Sequence, residues 1–401
     1  MNFIFVSPNF PQTYWNFCDR LKRRGVTVLG IGDAPYESLS RELKESLTEY
    51  YKVDNLGDYA QMFRATAYFS FKYGKIDWLE SNNEAWLESD ARLRTDFNIS
   101  TGALNSDIKR FKSKAEQKKY YAKAGVPTAR QVKLPAVPGK ADMDAALKFI
   151  EEVSYPVFVK PEIGVGAGGS YKLSGEPDFR RFLDSRIAVP YVMEEFVTGD
   201  IYSYDAIADA KGNPLFESSA HFPPSIADIA NNGWDCAYHV LKDVPQQLLE
   251  RGRATLKAFG VRSRFVHFEF FRLSSGKPGL GKKGDFVGLE TNMRPAGGYT
   301  PDMMNFAHAT DTYEIWAEMV TDGVRLLEHN PDDDHYCAYF GRRDSRSYAH
   351  DHMDVMARYG SRMAMQGRMP DAISDDLGNT MYMIHAQTPE EVEEFNSYLH
   401  E

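Results

Sequence analysis

Two carboxylates, an amide and an arginine sit on two short stretches whose spacing brings them to one side. In Phe286–Arg294 the alternation of a strand puts Glu290, Asn292 and Arg294 on one face, with Val287, Leu289, Thr291 and Met293 on the other. In Arg264–Arg272 the same alternation lines up Phe265, His267, Glu269 and Phe271. A Gly- and Lys-rich connection between the stretches lets them pair as a hairpin. Carboxylates and an amide suit a hard cation such as Mg²⁺, which takes few protein oxygens and leaves room for phosphate. Two bland alternatives stand beside this. The polar face is solvated, or Lys282 and Lys283 neutralise the acids as an ion-pair cluster.

A second candidate precedes these strands. The apolar run Val157–Val159 ends in Lys160-Pro161, and a loop with four glycines follows: Gly164, Gly166, Gly168 and Gly169, then Ser170. A lysine at the end of a buried strand needs an anionic partner. Glycines let backbone N–H groups approach a ligand closely, so the combination suits phosphate. A glycine hairpin with a lysine at its rim is the plain alternative. No Gly-Lys-Ser/Thr closes the loop, so it is not a P-loop, and no apolar-periodic helix follows, so it is not a dinucleotide fingerprint.

The 401 residues suffice for two or three domains, with 43% hydrophobic and 26% charged residues as in ordinary globular proteins. A net charge of -10 argues against nucleic acid or an acidic membrane as a partner held by bulk charge. No apolar run is long enough to span a bilayer. The start, Met1–Pro8, reads as a first strand and not as a signal peptide. Three scattered cysteines, Cys18, Cys236 and Cys337, fit a reducing cytoplasm.

These residues must be positioned by regular elements. Strands are expected at Phe3–Ser7, Thr27–Asp33, Tyr51–Val53 and Ile76–Leu79, alternating with helices around Trp15–Leu21, Glu37–Leu47 and Asp58–Tyr73. That rhythm predicts a parallel sheet with helices on its faces. The segment Asn82–Leu93 packs on it, with any charge forming a solvated face. A boundary follows near Thr101–Asp107. Ser113-Lys114-Ala115-Glu116 has the capping-box pattern, starting a helix that Gly125 and Pro127 end. Asp142 is expected to cap a second helix with Met143, Ala146, Leu147 and Ile150 on one face. Val189–Val197 is a strand with Glu194 and Glu195 on opposite faces, so only one can reach a shared site. Ile201–Asp209 and Leu215–Ser219 form a hairpin, and residues 220–240 read as a long loop. Asp311–Leu327 is a helix, Asn330–Asp334 a linker, and residues 335–401 a small α/β piece. Its His350 and His352 lack a metal partner at suitable spacing.

Taken in order, these motifs resemble the ATP-grasp superfamily, in particular its carboxylate–amine ligase branch related to carbamoyl-phosphate synthetase and biotin carboxylase. The resemblance implies an α/β and α+β fold: a Rossmann-like preATP-grasp domain (1–108), a two-subdomain ATP-grasp fold (109–327, divided at 195/196) and a C-terminal α/β region (328–401). It marks Lys114 and Lys160 as the two nucleotide lysines, and Gly164–Ser170 as a flap over the phosphates. Val192–Gly199, with Glu194, Glu195 and Val197, becomes the hinge beside adenine. Glu269, Glu290 and Asn292 become the metal-bearing residues. Ala167 replaces a common flap serine, and Ile201 stands where a ribose-binding glutamate is frequent, which leaves Asp200 for the ribose.

The implied cofactors are ATP and Mg²⁺, with Mn²⁺ as an alternative ion. The implied reaction is ADP-forming: a carboxylate attacks the γ-phosphate, and an amine attacks the resulting acyl phosphate. Lys160 and Arg294 are the expected catalytic residues, Arg294 binding the transferring phosphoryl or the acyl oxygen. Small carboxylate and amine molecules are the expected partners, without nucleic acid or membrane, and a homodimer is compatible. Phosphoryl transfer to a hydroxyl, and a non-catalytic nucleotide-binding protein, are the alternatives.

Overall fold

The computed structural model describes residues 1–164, 169–223, 229 and 233–401. Its N-terminal part alternates strands β1 (Asn2–Val6), β2 (Thr27–Gly32), β3 (Glu49–Lys52) and β4 (Trp78–Glu80) with helices α1 (Trp15–Arg23), α2 (Arg41–Ser46), α3 (Tyr59–Tyr73) and α4 (Leu87–Asp96). The strands form a parallel sheet in the order β3-β2-β1-β4. Both faces of β1 are buried, as such a sheet requires. Phe3 and Phe5 point to one core, Ile4 and Val6 to the other. The helix expected over 37–47 is broken by the extended backbone at Leu39, and only Arg41–Ser46, capped by the Ser40 hydroxyl, is α-helical.

Helices α5 (Asn105–Lys112) and α6 (Lys114–Lys123) lead into a small antiparallel sheet. It contains β5 (Gln131–Leu134), β6 (Val157–Pro161), β7 (Tyr171–Leu173) and β8 (Tyr191–Glu195) in the order β5-β8-β6-β7. Helices α7 (Lys140–Val153) and α8 (Glu176–Ser185) cover it around a core of its own, with Phe149, Ile150, Val159, Phe182 and Met193. Asp142 is not the cap of α7. Gly139 holds that position, and Asp142 sits three residues on, accepting its N–H at 2.8 Å. Leu147, expected on the buried face, is exposed, and Phe149 is buried in its place.

The large sheet contains β9 (Gly199–Ala208), β10 (Pro214–Ser218), β11 (Ala220–Phe222), β12 (Cys236–Val240), β13 (Arg264–Leu273) and β14 (Phe286–Asn292). Helix α9 (Gln246–Phe259) precedes β13, and α10 (Thr300–Ala307) and α11 (Thr312–Thr321) follow β14. Within 220–240, β11 and β12 replace the expected loop, and residues 224–228 and 230–232 lie outside the described ones. Three later strands join the same sheet: β15 (Tyr336–Arg342), β16 (Met363–Arg368) and β17 (Thr380–Ala386). The order is β14-β13-β9-β11-β12-β15-β17-β16, with β10 also on β9. Helices α12 (His352–Tyr359), α13 (Asp371–Leu377) and α14 (Pro389–His400) flank them.

Two devices fasten the N-terminal sheet to this larger body. Phe17 packs edge-on against Tyr313 and Trp316 of α11, at 4.7 and 4.9 Å between ring centres. At the end of β4, Glu80 takes the Arg94 guanidinium at 3.0 Å and that of Arg264 on β13 at 2.5 Å. Arg264 also donates to the Met293 carbonyl at 2.6 Å, tying β4 to the end of β14. Of the charges expected as a solvated face on Asn82–Leu93, Glu88 and Arg92 are exposed, whereas Glu84 and Asp90 are buried, as is Arg94 just beyond. Among the described residues all three cysteines are free and buried, and no helix is long and apolar enough to cross a membrane.

Candidate active site

Strands β13 and β14 pair antiparallel with Glu269 directly opposite Glu290 and His267 opposite Asn292. Directly opposed side chains share a face, so the two carboxylates and the amide meet as the alternation requires. The phase changes one residue earlier. A bulge at Leu289 sets Phe270 opposite Gly288 and Phe271 opposite Val287. Val287 thereby turns to the carboxylate side, contrary to the expected face, because a bulge adds one residue to one strand only. With Phe271 it joins Ala129, Val197, Leu273 and Leu280 in an apolar cluster just past the end of β8. Alternation without a bulge could not have found that cluster.

Two opposed carboxylates repel unless something neutralises them. Lys282 and Lys283 do not, since among the described residues neither pairs with these acids. Glu290 takes the Lys114 ammonium at 3.1 Å, and Glu269 takes His267 Nε2 at 3.3 Å. Behind His267 stands a buried chain. Its Nδ1 lies 2.8 Å from Asp205, the Ser203 hydroxyl donates to Asp205 at 2.5 Å, and Ala220 N–H donates to Ser203 at 2.9 Å. Burial opposes the His267 charge, but Asp205 and then Glu269 lift its pKa to about 9. Burial would raise the Glu269 carboxyl, and His267, Arg294 and Lys160 together hold it below the usual carboxylate range. Asn292 Nδ2 lies 3.4 Å from the Glu269 carboxylate. The donor set fits a hard divalent cation: two carboxylates and an amide on one face, with no group of three His, Cys, Asp or Glu among the described residues.

Lys114 reaches this pair from the first turn of α6, which the Ser113 hydroxyl caps by accepting Glu116 N–H at 3.2 Å. The same hydroxyl donates to Glu162 at 2.7 Å, and Lys114 N–H donates to the Glu162 carbonyl at 3.1 Å. Lys114 Nζ also donates to the Gly164 carbonyl at 3.2 Å. The lysine is buried where a helix-surface reading would have left it solvated. Gln117, one turn on, bonds the Thr291 backbone through both ends of its amide and so pins α6 to β14.

Lys160 is buried and pairs with Glu194 at 3.0 Å. Lys118 pairs with the other oxygen of Glu194 at 2.5 Å and donates to the Ala129 carbonyl at 2.6 Å. Burial would raise the Glu194 carboxyl, but Lys118 and Lys160 pull it down to about 2. Burial likewise works against the Lys160 charge, and Glu194, with Glu290 and Glu269 beyond it, keeps its pKa above the ordinary lysine value. Lys118 escaped sequence reasoning, although its i+4 spacing from Lys114 places both on one helix face. Glu195 turns the other way, to Arg130 at 2.9 Å and Lys277 at 3.3 Å. One acid of the pair thus faces the lysines.

Of the remaining expected residues, Val197 is buried in the apolar cluster, and Asp200 lies at the start of β9, 3.6 Å from His221. Gly169 adopts a left-handed backbone over Pro161 and Ser170 follows it, whereas Gly166, Ala167 and Gly168 lie outside the described residues. Arg294 donates to the Pro295 carbonyl at 2.7 Å and contributes to the charge around Glu269.

No family model matches the chain. Over 216 residues it is 22% identical to the carbamoyl phosphate synthase large chain of Pyrococcus furiosus, covering 52% of this chain and only 19% of that one. The chain thus spans about a fifth of the length of that curated relative. Solved structures align almost end to end. The L-amino acid ligase of Bacillus licheniformis matches with a TM-score of 0.72 at 13% identity, over 100% of this chain and 98% of its own. The biotin carboxylase domain of the Hydrogenobacter thermophilus 2-oxoglutarate carboxylase, complexed with MgADP, ADP and bicarbonate, matches at 0.67 and 17%, over 99% and 89%. The N5-carboxyaminoimidazole ribonucleotide synthetase of Thermus thermophilus matches at 0.69 and 13%, over 99% and 97%. At such identities the likeness speaks for architecture alone: the chain shares, almost end to end, the fold of these enzymes.

Proposed function

We propose that this protein is an ATP-dependent, ADP-forming carboxylate–amine ligase that works through an acyl phosphate on a small carboxylate or amino acid. The observation that carries the reading is Glu269 facing Glu290 across β13 and β14, with Asn292 beside them and Lys114 on Glu290. Lys114 and His267 offset the repulsion of this pair in the structure, and the two carboxylates with the amide offer oxygens on one face to a hard cation. Glu269, Glu290 and Asn292 would hold Mg²⁺, which supplies neutralising charge between phosphates when bound. Lys114 and Lys160 bind phosphate oxygens, and the cluster around Val197, Phe271 and Val287 receives the adenine. Asp200 remains our candidate for the ribose.

In the first step a substrate carboxylate oxygen attacks the γ-phosphorus and the bond to the β-phosphate oxygen breaks, releasing ADP. Such a transfer needs positioning and charge compensation more than a base. Arg294 binds the transferring phosphoryl or the acyl oxygen. In the second step an amine attacks the acyl carbon and inorganic phosphate leaves. The flap of residues 164–170 excludes water, so that the acyl phosphate is not hydrolysed. We assign these tasks to an N-terminal domain of residues 1–108, a nucleotide-binding domain of 109–327 and a C-terminal region of 328–401.

The test is ADP release and hydroxamate formation from carboxylates, hydroxylamine and MgATP. Hydroxamate formation is expected, whereas a kinase would release ADP only with a hydroxyl acceptor. Glu290→Gln should abolish Mg²⁺-dependent ADP formation without unfolding the chain. Equal MgATP affinity in that variant and in wild type, by calorimetry, would end the metal assignment.

A further inference from the structure

One buried group near this site has no task in the chemistry above, and the inference drawn from it rests on the ligase reading. The segment after β4, residues 81–86, starts from the C-terminal end of that edge strand, the end at which parallel sheets meet their ligands. Glu84 on that segment is only 6% exposed, yet its Oε2 has no hydrogen-bond partner. The buried acid that fastens this region is its neighbour Glu80, which takes Arg94 and Arg264. Among the described residues Glu84 forms no ion pair. Burial lifts its carboxyl above the usual range, and the charges bearing on it are Arg294, Lys112, Glu290 and Arg264. Two of these, Arg294 and Glu290, belong to the candidate active site.

Two residues before it, Asn82 is 1% exposed and held in a left-handed backbone conformation. Its carbonyl accepts the Tyr14 hydroxyl at 2.7 Å, while both polar atoms of its side chain lack partners. Unpaired buried polar atoms carry a desolvation cost that a ligand's own donors and acceptors remove. Most of what waits here accepts: a carboxyl oxygen and an amide oxygen, on which the Arg294 charge bears.

We propose that Glu84, with Asn82, receives the ammonium group of the carboxylate substrate, so that the substrate is an amino acid with its carboxylate turned toward Arg294. A zwitterion matches this arrangement at both ends, through one charge-assisted bond to each. A carboxylate without an ammonium group brings no donor to Glu84, and its charge repels that of the side chain.

Calorimetry with the coded L-amino acids, each beside its desamino counterpart such as propionate for alanine, tests this in the presence of Mg²⁺ and a non-hydrolysable ATP analogue. At least one amino acid is expected to bind about tenfold or more tightly than its counterpart. Glu84→Gln should remove that preference while leaving the affinity for the ATP analogue unchanged. Glu84→Asp, which keeps the charge, should retain part of the preference, and it decides the matter if the glutamine variant does not fold. Desamino acids that bind as tightly as amino acids, or a preference that survives Glu84→Gln, overturn the assignment. The ligase reading still stands in that case if those carboxylates drive ADP release. Wild type that binds neither class and releases no ADP with either overturns both.

Discussion

Glu194 is the residue on which the lysine side of the candidate site balances. It is buried between two ammonium groups, Lys118 and Lys160, and nothing else among the described residues neutralises them at that distance. Breaking a buried ion group by removing one partner typically costs about 3–5 kcal/mol, because the other charges stay buried. Glu194→Gln is therefore expected to lose about that much stability at neutral pH in urea unfolding. The pH dependence has a definite sign. The folded carboxyl lies at about 2 against an ordinary 4.5, so its contribution is present above 4.5 and is lost as pH falls toward 2. The stability gap between wild type and Glu194→Gln should narrow by about 3 kcal/mol across that window. Parallel curves would show that the fold does not depress the Glu194 carboxyl. The hinge acids could be read as a pair with only one facing inward. Which one, and that two lysines meet it, depended on α6 lying beside β8, and no local pattern encodes that.

At the scale of elements, the site depends on how β14 meets α6. Gly288 lies against the Tyr121 ring, where an added Cβ would come within 2.5 Å of a ring carbon. Tyr121 is fully buried and its ring has nowhere to retreat. Overpacking of this kind costs about 1–3 kcal/mol. Gly288→Ala should lower the urea midpoint accordingly. It should also weaken MgATP binding, because α6 carries Lys114 and β14 carries Glu290. An unchanged MgATP affinity would mean that the two elements are positioned independently. Here the sequence was legible up to the bulge. Period-two alternation brought Glu290 and Asn292 together, since both lie beyond Leu289, and misplaced Val287, which lies before it. β11 and β12 stayed hidden because they are short and irregular in pattern, and pairing with β9 and β15 is what makes them strands.

Across the whole molecule, the Arg94–Glu80–Arg264 group joins the N-terminal sheet to the strands that carry the site. Glu80→Gln leaves two guanidinium groups facing each other in the interior and should cost about 3–5 kcal/mol. Because Arg264 also holds the Met293 carbonyl, next to Arg294, the loss should reach carboxylate-dependent turnover as well as melting temperature. A variant that melts lower but turns over normally would separate the joint from the site. The succession of motifs foretold the architecture. This joint could not be foreseen, since it links residues 80, 94 and 264 through a packing of distant elements that leaves no trace in local spacing.

The large sheet also sets a timetable for the ribosome. Every residue of the candidate site has been synthesised by Arg294, yet β12 finds its second neighbour in β15, roughly a hundred residues further on. Until that strand emerges, β12 is an open edge of five residues, Cys236–Val240, of which three are buried in the finished fold. An unpaired edge of this kind invites pairing with another chain. A chain ended at Asp334 would carry every residue of the candidate site and still lack the cover for that edge. It should partition into the insoluble fraction after synthesis, whereas a soluble, monomeric product would show that the early strands close their sheet unaided. The last strands would then act as a built-in check on synthesis, withholding the folded state from any chain that stops short of them.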